Sequence, residues 1–250
     1  IQGFTNTLRF KHAVCVNLPS DRKPYGKELR SLFTVRKDNH LLCGSDMASL
    51  EDRTKQHYMW EYDPEYVKAM TTDGFDPHLD LALSAGAVTQ EQVDEYKAGN
   101  KTDEVSQLRH NYKGGNYACT YGAGATTLSR QLNISEAEAT KIHQAYWKRN
   151  WSLKEIAKNC EVKIVNEQMW LWNPVSELYY YLKADKDKFS TLNQGTGTYC
   201  FDMWLLFVTN KRKQLTAQFH DELILELQDC KKEQITAILK ESIQEVNKNL

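Results

Sequence analysis

Four side chains spaced at every fourth residue most constrain how this chain can fold. The four are Arg109, Lys113, Tyr117 and Tyr121. A helix has 3.6 residues per turn, so this spacing puts them along one slowly drifting face, here named the 109–121 stripe. Two cations followed by two aromatic rings suit a ligand that carries a polyphosphate at one end and a flat base at the other.

A pair of glycines, Gly114 and Gly115, lies inside this predicted helix. Each costs a helix about 1 kcal/mol relative to alanine, so helix propensity does not explain them. Close approach of a ligand or of another backbone is a better explanation. Taken alone, the stretch is also typical of an ordinary solvated helix face that carries some tyrosines, and the glycines argue against this alternative.

The composition is that of an ordinary globular protein. Of 250 residues, 41% are hydrophobic and 26% are charged, and the formal net charge is -1. This length can bury a proper core in one large domain or in two subdomains. Charge is segregated, because residues 1–40 hold eight basic and three acidic residues, whereas residues 41–104 are strongly acidic. The first segment suits a polyanion; the second suits cations or solvent.

The cysteines and the apolar runs indicate a cellular setting. Six cysteines are scattered without a CxxC pair, which predicts neither a zinc site nor a disulfide framework. No apolar run is long enough to span a bilayer, and no signal peptide is recognisable. We therefore predict a cytoplasmic protein without a membrane partner. Because the chain starts at Ile1 within structured-looking sequence, we expect a piece of something longer.

Both strands and helices are predicted along the chain. Residues 41–43 form a short apolar run typical of a buried strand, and the alternation of Leu223, Leu225 and Leu227 predicts a β-hairpin over 215–227. Further strands are expected at 170–172 and 179–181, and an exposed acidic insertion at 85–104. Helices are expected at 49–62, from 78, from a capping box at Ser135 to 147, at 151–160, at 189–207 and after a cap at Asp229.

Acidic residues stand at the ends of two predicted strands. Asp46 follows the strand at 41–43, and Asp221, with Glu222 beside it, lies at the centre of the hairpin. If the strands are neighbours, Asp46 and Asp221 could share two Mg²⁺ ions, since carboxylate oxygens suit this metal. Two ions about 4 Å apart stabilise both the attacking and the leaving oxygen in phosphoryl transfer.

Other interpretations of these acids stay open. A lone aspartate at a strand end is more often a turn or cap residue than a metal ligand. A metal-dependent phosphohydrolase built from His220, Asp221 and His78 is another possibility. It would leave the 109–121 stripe without a purpose.

The motifs are most specific in combination. In chain order stand Asp46-Met-Ala-Ser-Leu-Glu51-Asp-Arg53, then the 109–121 stripe with Gly122, then Gln194-Gly-Thr196, and then His220-Asp221-Glu222. This set resembles motifs A, B and C of the family A DNA polymerases, the DNA polymerase I-like enzymes of bacteria and phages. Upstream, Arg22-x-Pro-Tyr-Gly26-x3-Arg30-x2-Phe33 is similar to the phage branch. The resemblance covers about residues 9 to 227.

The resemblance implies an α+β fold. It would be a right-hand palm, an antiparallel sheet backed by helices, with helical fingers and with the thumb mostly absent. The implied domains are an N-terminal part of the palm with motif A at 1–62, fingers at 63–160 with the motif B helix at about 108–122, and a C-terminal part of the palm with motif C at 161–250.

The implied reaction is template-directed DNA synthesis by two-metal nucleotidyl transfer with release of pyrophosphate. Two Mg²⁺ ions would be bound by Asp46 and Asp221, with Glu222 as a secondary acidic group. Arg109 and Lys113 would grip the incoming triphosphate, and Lys113 counts among the catalytic residues.

The remaining implied roles concern the nucleotide and the DNA. His78, in an Asp-x-His element, would reach the same phosphates, and Glu51 would be the steric gate that excludes a 2′-hydroxyl. Tyr117 occupies a Phe-or-Tyr position, where Tyr implies weak discrimination against nucleotides lacking a 3′-hydroxyl. Tyr121 would stack on the template. The residues expected to track the primer–template duplex are Gln194, His220, Arg9, Arg30 and Arg53.

Some features depart from the family pattern. Asp52 stands where an apolar residue is usual, the glycine pair would loosen the fingers helix, and no Gly-Arg-Arg-like element is found in 161–187. Neither a proofreading exonuclease nor most of a thumb is recognisable. The expected partners are primer–template DNA and dNTPs. Since these parts are missing, separate thumb or exonuclease domains, or a processivity factor, are possible further partners.

Two alternatives remain for the function. One is a single-subunit phage-type RNA polymerase, which shares the mechanism of the palm, although Glu51 and Glu222 favour DNA synthesis. A non-catalytic nucleic-acid-binding fragment is the other, although both aspartates and both triphosphate cations are retained.

Overall fold

A computed structural model describes residues 2–13, 19, 21 and 23–250. Arg22 of the upstream motif and Cys15 lie outside the described residues. The first elements in chain order are β1 (Gly3–Phe4), β2 (Phe10–Lys11), α1 (Gly26–Ser31), β3 (His40–Asp46), α2 (Leu50–Met59), α3 (Pro64–Thr71), α4 (Pro77–Ser84), α5 (Gln90–Lys97) and α6 (Asp103–Thr120).

The second half of the chain contains both the longest helix and the central strand of the main sheet. Its elements are α7 (Ala125–Leu132), α8 (Glu136–Arg149), α9 (Ser152–Asn159), β4 (Val162–Val165), β5 (Gln168–Asn173), β6 (Leu178–Leu182), a 3₁₀ turn (Asp185–Asp187), α10 (Lys188–Lys211), β7 (Leu215–Phe219), β8 (Glu222–Gln228) and α11 (Lys232–Asn249).

The chain divides into two units. The sheet unit comprises Ile1–Arg53, Trp172–Tyr181 and Asn193–Leu250, and the helical unit comprises Thr54–Leu171 and Leu182–Leu192. These units differ from the predicted domain bounds, because residues 182–192 contribute Leu182, Phe189 and Leu192 to the core of the helical unit. The assignment of palm and fingers to particular bounds stays a prediction.

The sheet unit is built on an antiparallel sheet with the strand order β3-β8-β7. Leu223, Leu225 and Leu227 alternate along β8 and are fully buried, as the period-2 pattern predicts. They share a core with residues of α10 and α11, and the indole N–H of Trp204 donates to the carbonyl oxygen of Leu239 at 3.2 Å. The predicted hairpin and the predicted α+β class are both confirmed.

In the helical unit, helix starts follow directly from the sequence. Asp63 and Asp76 each precede a proline at the first helical position, and each side chain accepts hydrogen bonds from the first turn of its helix. Helix α6 begins at Asp103 rather than at about 108, because the Thr102 hydroxyl caps it by accepting from the N–H of Val105 at 3.3 Å.

Two sequence predictions about elements are wrong. Residues 85–104 are not an exposed insertion, since they contain α5, which a Thr89–Gln92 capping box starts, and they bury Val88 and Val93 in the core. Asp229 does not cap α11, which starts at Lys232. Asp229 has a left-handed backbone with φ of 48°, whereas a cap residue normally has an extended one.

The glycine pair does not loosen α6, which is continuous through it. A Cβ at Gly114 would lie 2.3 Å from Cδ2 of Leu132 in α7, and one at Gly115 would lie 2.3 Å from Cγ2 of Ile142 in α8. Both distances are far below van der Waals contact. The close neighbours are therefore side chains of two packed helices, and not a ligand or another backbone as the sequence predicted.

Among the described residues, no helix combines the length and the apolar character needed to cross a bilayer.

Candidate functional site

Three acidic residues are backbone neighbours at one end of the main sheet. Asp46 is the last residue of β3, and its Cα partner on β8 is Glu222. Immediately beyond Asp46, the backbone N–H of Met47 donates to the carbonyl oxygen of Asp221 at 3.0 Å. The structure thus brings together Asp46, Asp221 and Glu222, here called the acidic trio, from positions about 175 residues apart in the sequence.

The members of the acidic trio repel one another. Burial raises the pKa of Asp46 above its ordinary value, and the negative charges of Asp221 and Glu222 raise it further. A divalent cation would relieve this repulsion, and carboxylate oxygens are ligands that Mg²⁺ accepts. The residues present therefore fit a magnesium site.

The number of protein ligands also suits magnesium. Among the described residues, no three histidine, cysteine or acidic side chains converge as a complete metal-binding set. Mg²⁺ does not need one, since it usually keeps several waters and is bound through one or two carboxylates together with substrate phosphates.

Glu51 and Arg9, two further predicted site residues, form an ion pair. Glu51 lies in the first turn of α2, and Arg9 lies in the turn between β1 and β2. The backbone carbonyl of Glu51 also accepts a hydrogen bond from the side-chain amide of Asn193 in α10 at 3.0 Å. The predicted steric gate is therefore held from two directions, by contacts that span 42 and 142 residues of sequence.

His220 lies in the turn between β7 and β8, next to the acidic trio. Its backbone is left-handed, with φ of 53°. Burial lowers its pKa, and the positive charges of Arg9 and His12 act in the same direction, whereas Asp221 and Glu51 oppose them. The His12 ring stands edge-on to it at 6.3 Å. Within the described part of the chain, His220 Nδ1 is buried without a hydrogen-bond partner.

The 109–121 stripe lies on α6 of the helical unit, and Tyr121 immediately follows the helix. Tyr117 and Tyr121 are 46% and 40% exposed, so part of each side chain is accessible to solvent. The ammonium group of Lys113 lies 5.9 Å from the centroid of the Tyr117 ring. Cation and ring are thus neighbours, as the spacing predicts.

The stripe is joined to the start of α4. Asp76 accepts hydrogen bonds from the backbone N–H groups of His78 and Leu79 through Oδ1, and from Arg109 Nε through Oδ2 at 2.6 Å. Burial raises the pKa of Asp76, but the hydrogen bonds from Arg109 and from the backbone outweigh it, so the net shift is downward. Asp76 is both the cap of α4 and the anchor of Arg109.

His78 is held close to the stripe in its neutral form. Burial lowers its pKa to about 4, and the positive charges of Arg109, Lys113 and Lys55 contribute, with Asp76 opposing them. Asn116 Nδ2 lies 3.3 Å from His78 Nδ1, and the ring centroids of His78 and Tyr117 are 5.8 Å apart. Four predicted nucleotide-binding residues, His78, Arg109, Lys113 and Tyr117, are therefore clustered in this unit.

The other predicted DNA-binding residues are more scattered. Arg30, in α1, donates from Nε to the carbonyl oxygen of Pro19 at 2.9 Å. Arg53 is exposed on α2, and Gln194 is half-buried in the N-terminal third of α10.

Sequence reasoning missed several residues that shape the two clusters. The capping role of Asp76 has a local signal, since an aspartate before a proline is typical of a helix cap, but its contact with Arg109 has none. Asn116 lies on α6, but nothing in the sequence indicates that its side chain contacts His78. His12 and Asn193 have no sequence signal, because their contacts with His220 and Glu51 are long-range.

Comparison with known proteins decides the family. The family model described as "DNA polymerase family A" matches residues 4–250. This chain belongs to DNA polymerase family A. Members of the family generally depend on divalent metal ions, in keeping with the carboxylates of the acidic trio.

Relatives in this family include bacterial enzymes. DNA polymerase I of Helicobacter pylori (strain ATCC 700392 / 26695) is 26% identical over 227 residues, covering 85% of this chain and 24% of that protein. The thermostable DNA polymerase I of Thermus filiformis is 25% identical over 239 residues, covering 90% of this chain and 27% of that protein. The chain thus spans about a quarter of the length of these curated relatives. That this chain is a phage-type member of the family stays a prediction.

A solved structure has the same fold. The POL domain of Pol1 from M. smegmatis, in complex with DNA primer-template and dNTP, superposes with a TM-score of 0.72 at 20% sequence identity. The match covers 97% of this chain and 43% of that one. It agrees with the predicted palm-and-fingers type of α+β fold.

Proposed function

We propose that this chain carries out template-directed DNA synthesis, adding dNTPs to the 3′-hydroxyl of a primer with release of pyrophosphate. The observation that carries the proposal is the register of β3 and β8, which pairs Asp46 with Glu222 beside Asp221. In a chain of DNA polymerase family A, these are the acids of motifs A and C.

The acidic trio would hold two Mg²⁺ ions. When bound, these ions would supply stabilisation of charge on the attacking and leaving oxygens. Asp46 and Asp221 are the proposed ligands, and Glu222 is the secondary acid. Asp46 and Glu222 are paired in the sheet, and the carbonyl oxygen of Asp221 accepts from the N–H of Met47, so the backbone of the acidic trio is in place before substrate binds.

The helical unit would supply the groups that bind the incoming nucleotide. Arg109 and Lys113 are the cations proposed for the triphosphate, and the neutral His78 beside them would donate a hydrogen bond to a phosphate oxygen from Nε2. This tautomer follows from Asn116, whose amide N–H donates to His78 Nδ1 and so leaves the ring proton on Nε2. Tyr117 would contact the base and sugar.

The sheet unit would supply the sugar gate and part of the duplex contact. Glu51, fixed by Arg9 and Asn193, is the residue proposed to exclude a 2′-hydroxyl. Contacts that track the duplex without reading its sequence are proposed for Gln194, His220, Arg9, Arg30 and Arg53. Tyr121 of the helical unit is proposed to stack on the template.

The test is primer extension with Mg²⁺ and the four dNTPs, comparing the chain with Asp221→Asn. The matched control is Asp229→Asn, which removes one carboxylate at the other end of β8, where the left-handed backbone accepts asparagine. We expect Asp221→Asn to lower the rate by about a hundredfold or more, the typical effect of losing one preorganised catalytic group. The control should retain its rate.

Two results would contradict the proposal. Equal rates for Asp221→Asn and Asp229→Asn would exclude Asp221 from catalysis. No extension by any form, with primer–template binding intact, would instead support a non-catalytic nucleic-acid-binding fragment. A phage-type RNA polymerase is tested in the same assay, since rNTP incorporation as efficient as dNTP incorporation would favour it over DNA synthesis.

A further inference from the structure

A second aromatic row, outside the motifs of the family, lies on the surface of the helical unit. His143 and Trp147 lie on α8, and Trp151 follows four residues later at the start of α9. Lys154, on the first turn of α9, reaches back so that its Nζ lies 5.2 Å from the centroid of the Trp147 ring. These four residues are here called the 143–154 surface.

The side chains of the 143–154 surface are ordered by one another. Trp147 donates its indole N–H to Nε2 of His143 at 3.1 Å. Trp147 also packs against the core of the helical unit, which fixes its ring. Trp151, in contrast, is 46% exposed, and burial in the core therefore does not account for a tryptophan at this position.

The sequence segment that carries this surface is rich in cations. Residues 140–160 contain one acidic residue, Glu155, and it is paired with Lys158 at 3.8 Å. The five basic residues of the segment are Lys141, Lys148, Arg149, Lys154 and Lys158, of which Arg149 is paired with Asp80 at 3.1 Å. Exposed rings among cations complement a flexible polyanion with flat bases.

We propose that the 143–154 surface binds single-stranded DNA. An unpaired base would stack on Trp151, and Lys154 would contact a backbone phosphate. Base–aromatic stacking is tolerant of sequence because every base has a π-face. Resting on the proposed function, the strand would be the unpaired template ahead of the primer.

The helical unit contains a matched control residue. Trp60, beyond the end of α2, is 53% exposed, slightly more than Trp151. It lies in an acidic stretch with Glu61, Asp63 and Glu65. An exposed tryptophan alone would give both sites the same effect, whereas the proposed surface needs the cations around Trp151.

The experiment measures binding of a labelled oligothymidylate of about 20 nucleotides by fluorescence anisotropy, without dNTPs, long enough to cover one site several times over. The full chain is compared with Trp151→Ala, Lys154→Ala and Trp60→Ala, with circular dichroism as the check of folding. We expect Trp151→Ala to weaken binding about fivefold or more. Lys154→Ala should reduce the salt slope by about 0.7, and Trp60→Ala should leave binding unchanged.

A base-free oligonucleotide of the same length separates stacking from charge. On this strand the effect of Trp151→Ala should disappear, because there is no base to stack, while the effect of Lys154→Ala should persist. Equal binding by all variants, an equal loss in Trp60→Ala, or a Trp151→Ala effect that persists on the base-free strand would each overturn the proposal. The 143–154 surface would then be interpreted as a binding site for a protein partner.

This binding assay does not depend on catalysis. If the chain fails to extend primers but Trp151→Ala still weakens binding selectively, the single-stranded DNA site stands and the proposed function fails. If extension succeeds and the variants bind equally, only the present inference fails.

Discussion

The sequence predicts Arg109 as a site residue, but it does not predict the contact that orients its side chain. Its Nε–H donates to Asp76, so the guanidinium has a fixed orientation. Arginine has four further N–H donors on its terminal nitrogens, which are the groups that suit phosphate oxygens. The sequence predicted Arg109 from its helical spacing. The anchor could not be predicted, because Asp76 lies 33 residues away and pairs with it only in the folded chain.

The protonation of His78 leads to a prediction for the pH dependence of stability. The folded-state pKa is about 4, below the ordinary value near 6.5. The unfolded chain therefore takes up a proton at higher pH than the folded chain does. The associated stability is fully present above about pH 6.5 and is lost as pH falls towards about pH 4, to a total of about 3 kcal/mol.

Urea unfolding at a series of pH values checks this expectation. His78→Gln should flatten the fall in unfolding free energy between about pH 6.5 and pH 4, since the titrating group is gone. His110→Gln, at an exposed position of α6, is the matched control and should leave the pH profile unchanged. Parallel profiles for His78→Gln and the original chain would show that His78 is not the group responsible.

At the level of elements, the clearest agreement between sequence and structure is the hairpin of β7 and β8. Its period-2 alternation of leucines is a local signal, and the buried face of the sheet enforces it. Strand β3 is longer than predicted, because backbone pairing with β8 extends through Gly44, Ser45 and Asp46, which carry no apolar signal. Residues 85–104 were misinterpreted because α5 is mostly polar and anchors itself through few buried side chains.

The glycine pair of α6 yields a prediction in which neighbouring positions behave differently. The atom that would clash at Gly115 is Cγ2 of Ile142, a β-branched methyl on a fully buried side chain that cannot turn away. Gly115→Ala should therefore lower the unfolding free energy by about 1–3 kcal/mol. At Gly114 the clashing atom is the tip of Leu132, which is only partly buried and can rotate. Gly114→Ala should be nearly neutral, because helix propensity gains about 1 kcal/mol.

A second substitution tests the cause of the Gly115 effect. Ile142→Leu removes the β-branched methyl, so combining it with Gly115→Ala should recover part of the lost stability, measured as a favourable coupling in urea unfolding. The explanation is wrong if Gly114→Ala is the more costly change, or if the double variant shows no coupling.

At the level of the whole molecule, the order of the motifs was enough to predict the family, and the family model confirms it. The formal net charge of -1 gives no general attraction to DNA. The proposed DNA binding must therefore depend on local cations such as Arg9, Arg30 and Arg53. The position of each of these arginines in the fold could not be predicted, because the segregation of charge along the sequence does not determine where a residue lies in the folded chain.

Because the proposed DNA binding depends on these three arginines, we can predict how salt weakens duplex binding. Three phosphate contacts correspond to a slope of about -2.7 in log K against log salt, or a loss of about fortyfold from 50 to 200 mM salt. Arg30→Gln should reduce the slope by about 0.9. Anisotropy titrations with primer–template DNA measure both values. Glu28→Gln on the same exposed helix is the control, and an unchanged slope in Arg30→Gln would exclude this arginine from phosphate contact.

The pairing of β3 with β8 has a consequence for the order in which the protein forms during synthesis. Strand β3 is made early, but its partner β8 emerges only after about 180 further residues, which at roughly 5–20 residues per second takes about ten seconds or more. The helical unit, in contrast, has all its residues by Leu192. A nascent chain can thus complete the helices proposed to bind the nucleotide first, while Asp46 remains at an unpaired strand edge until Asp221 and Glu222 are made.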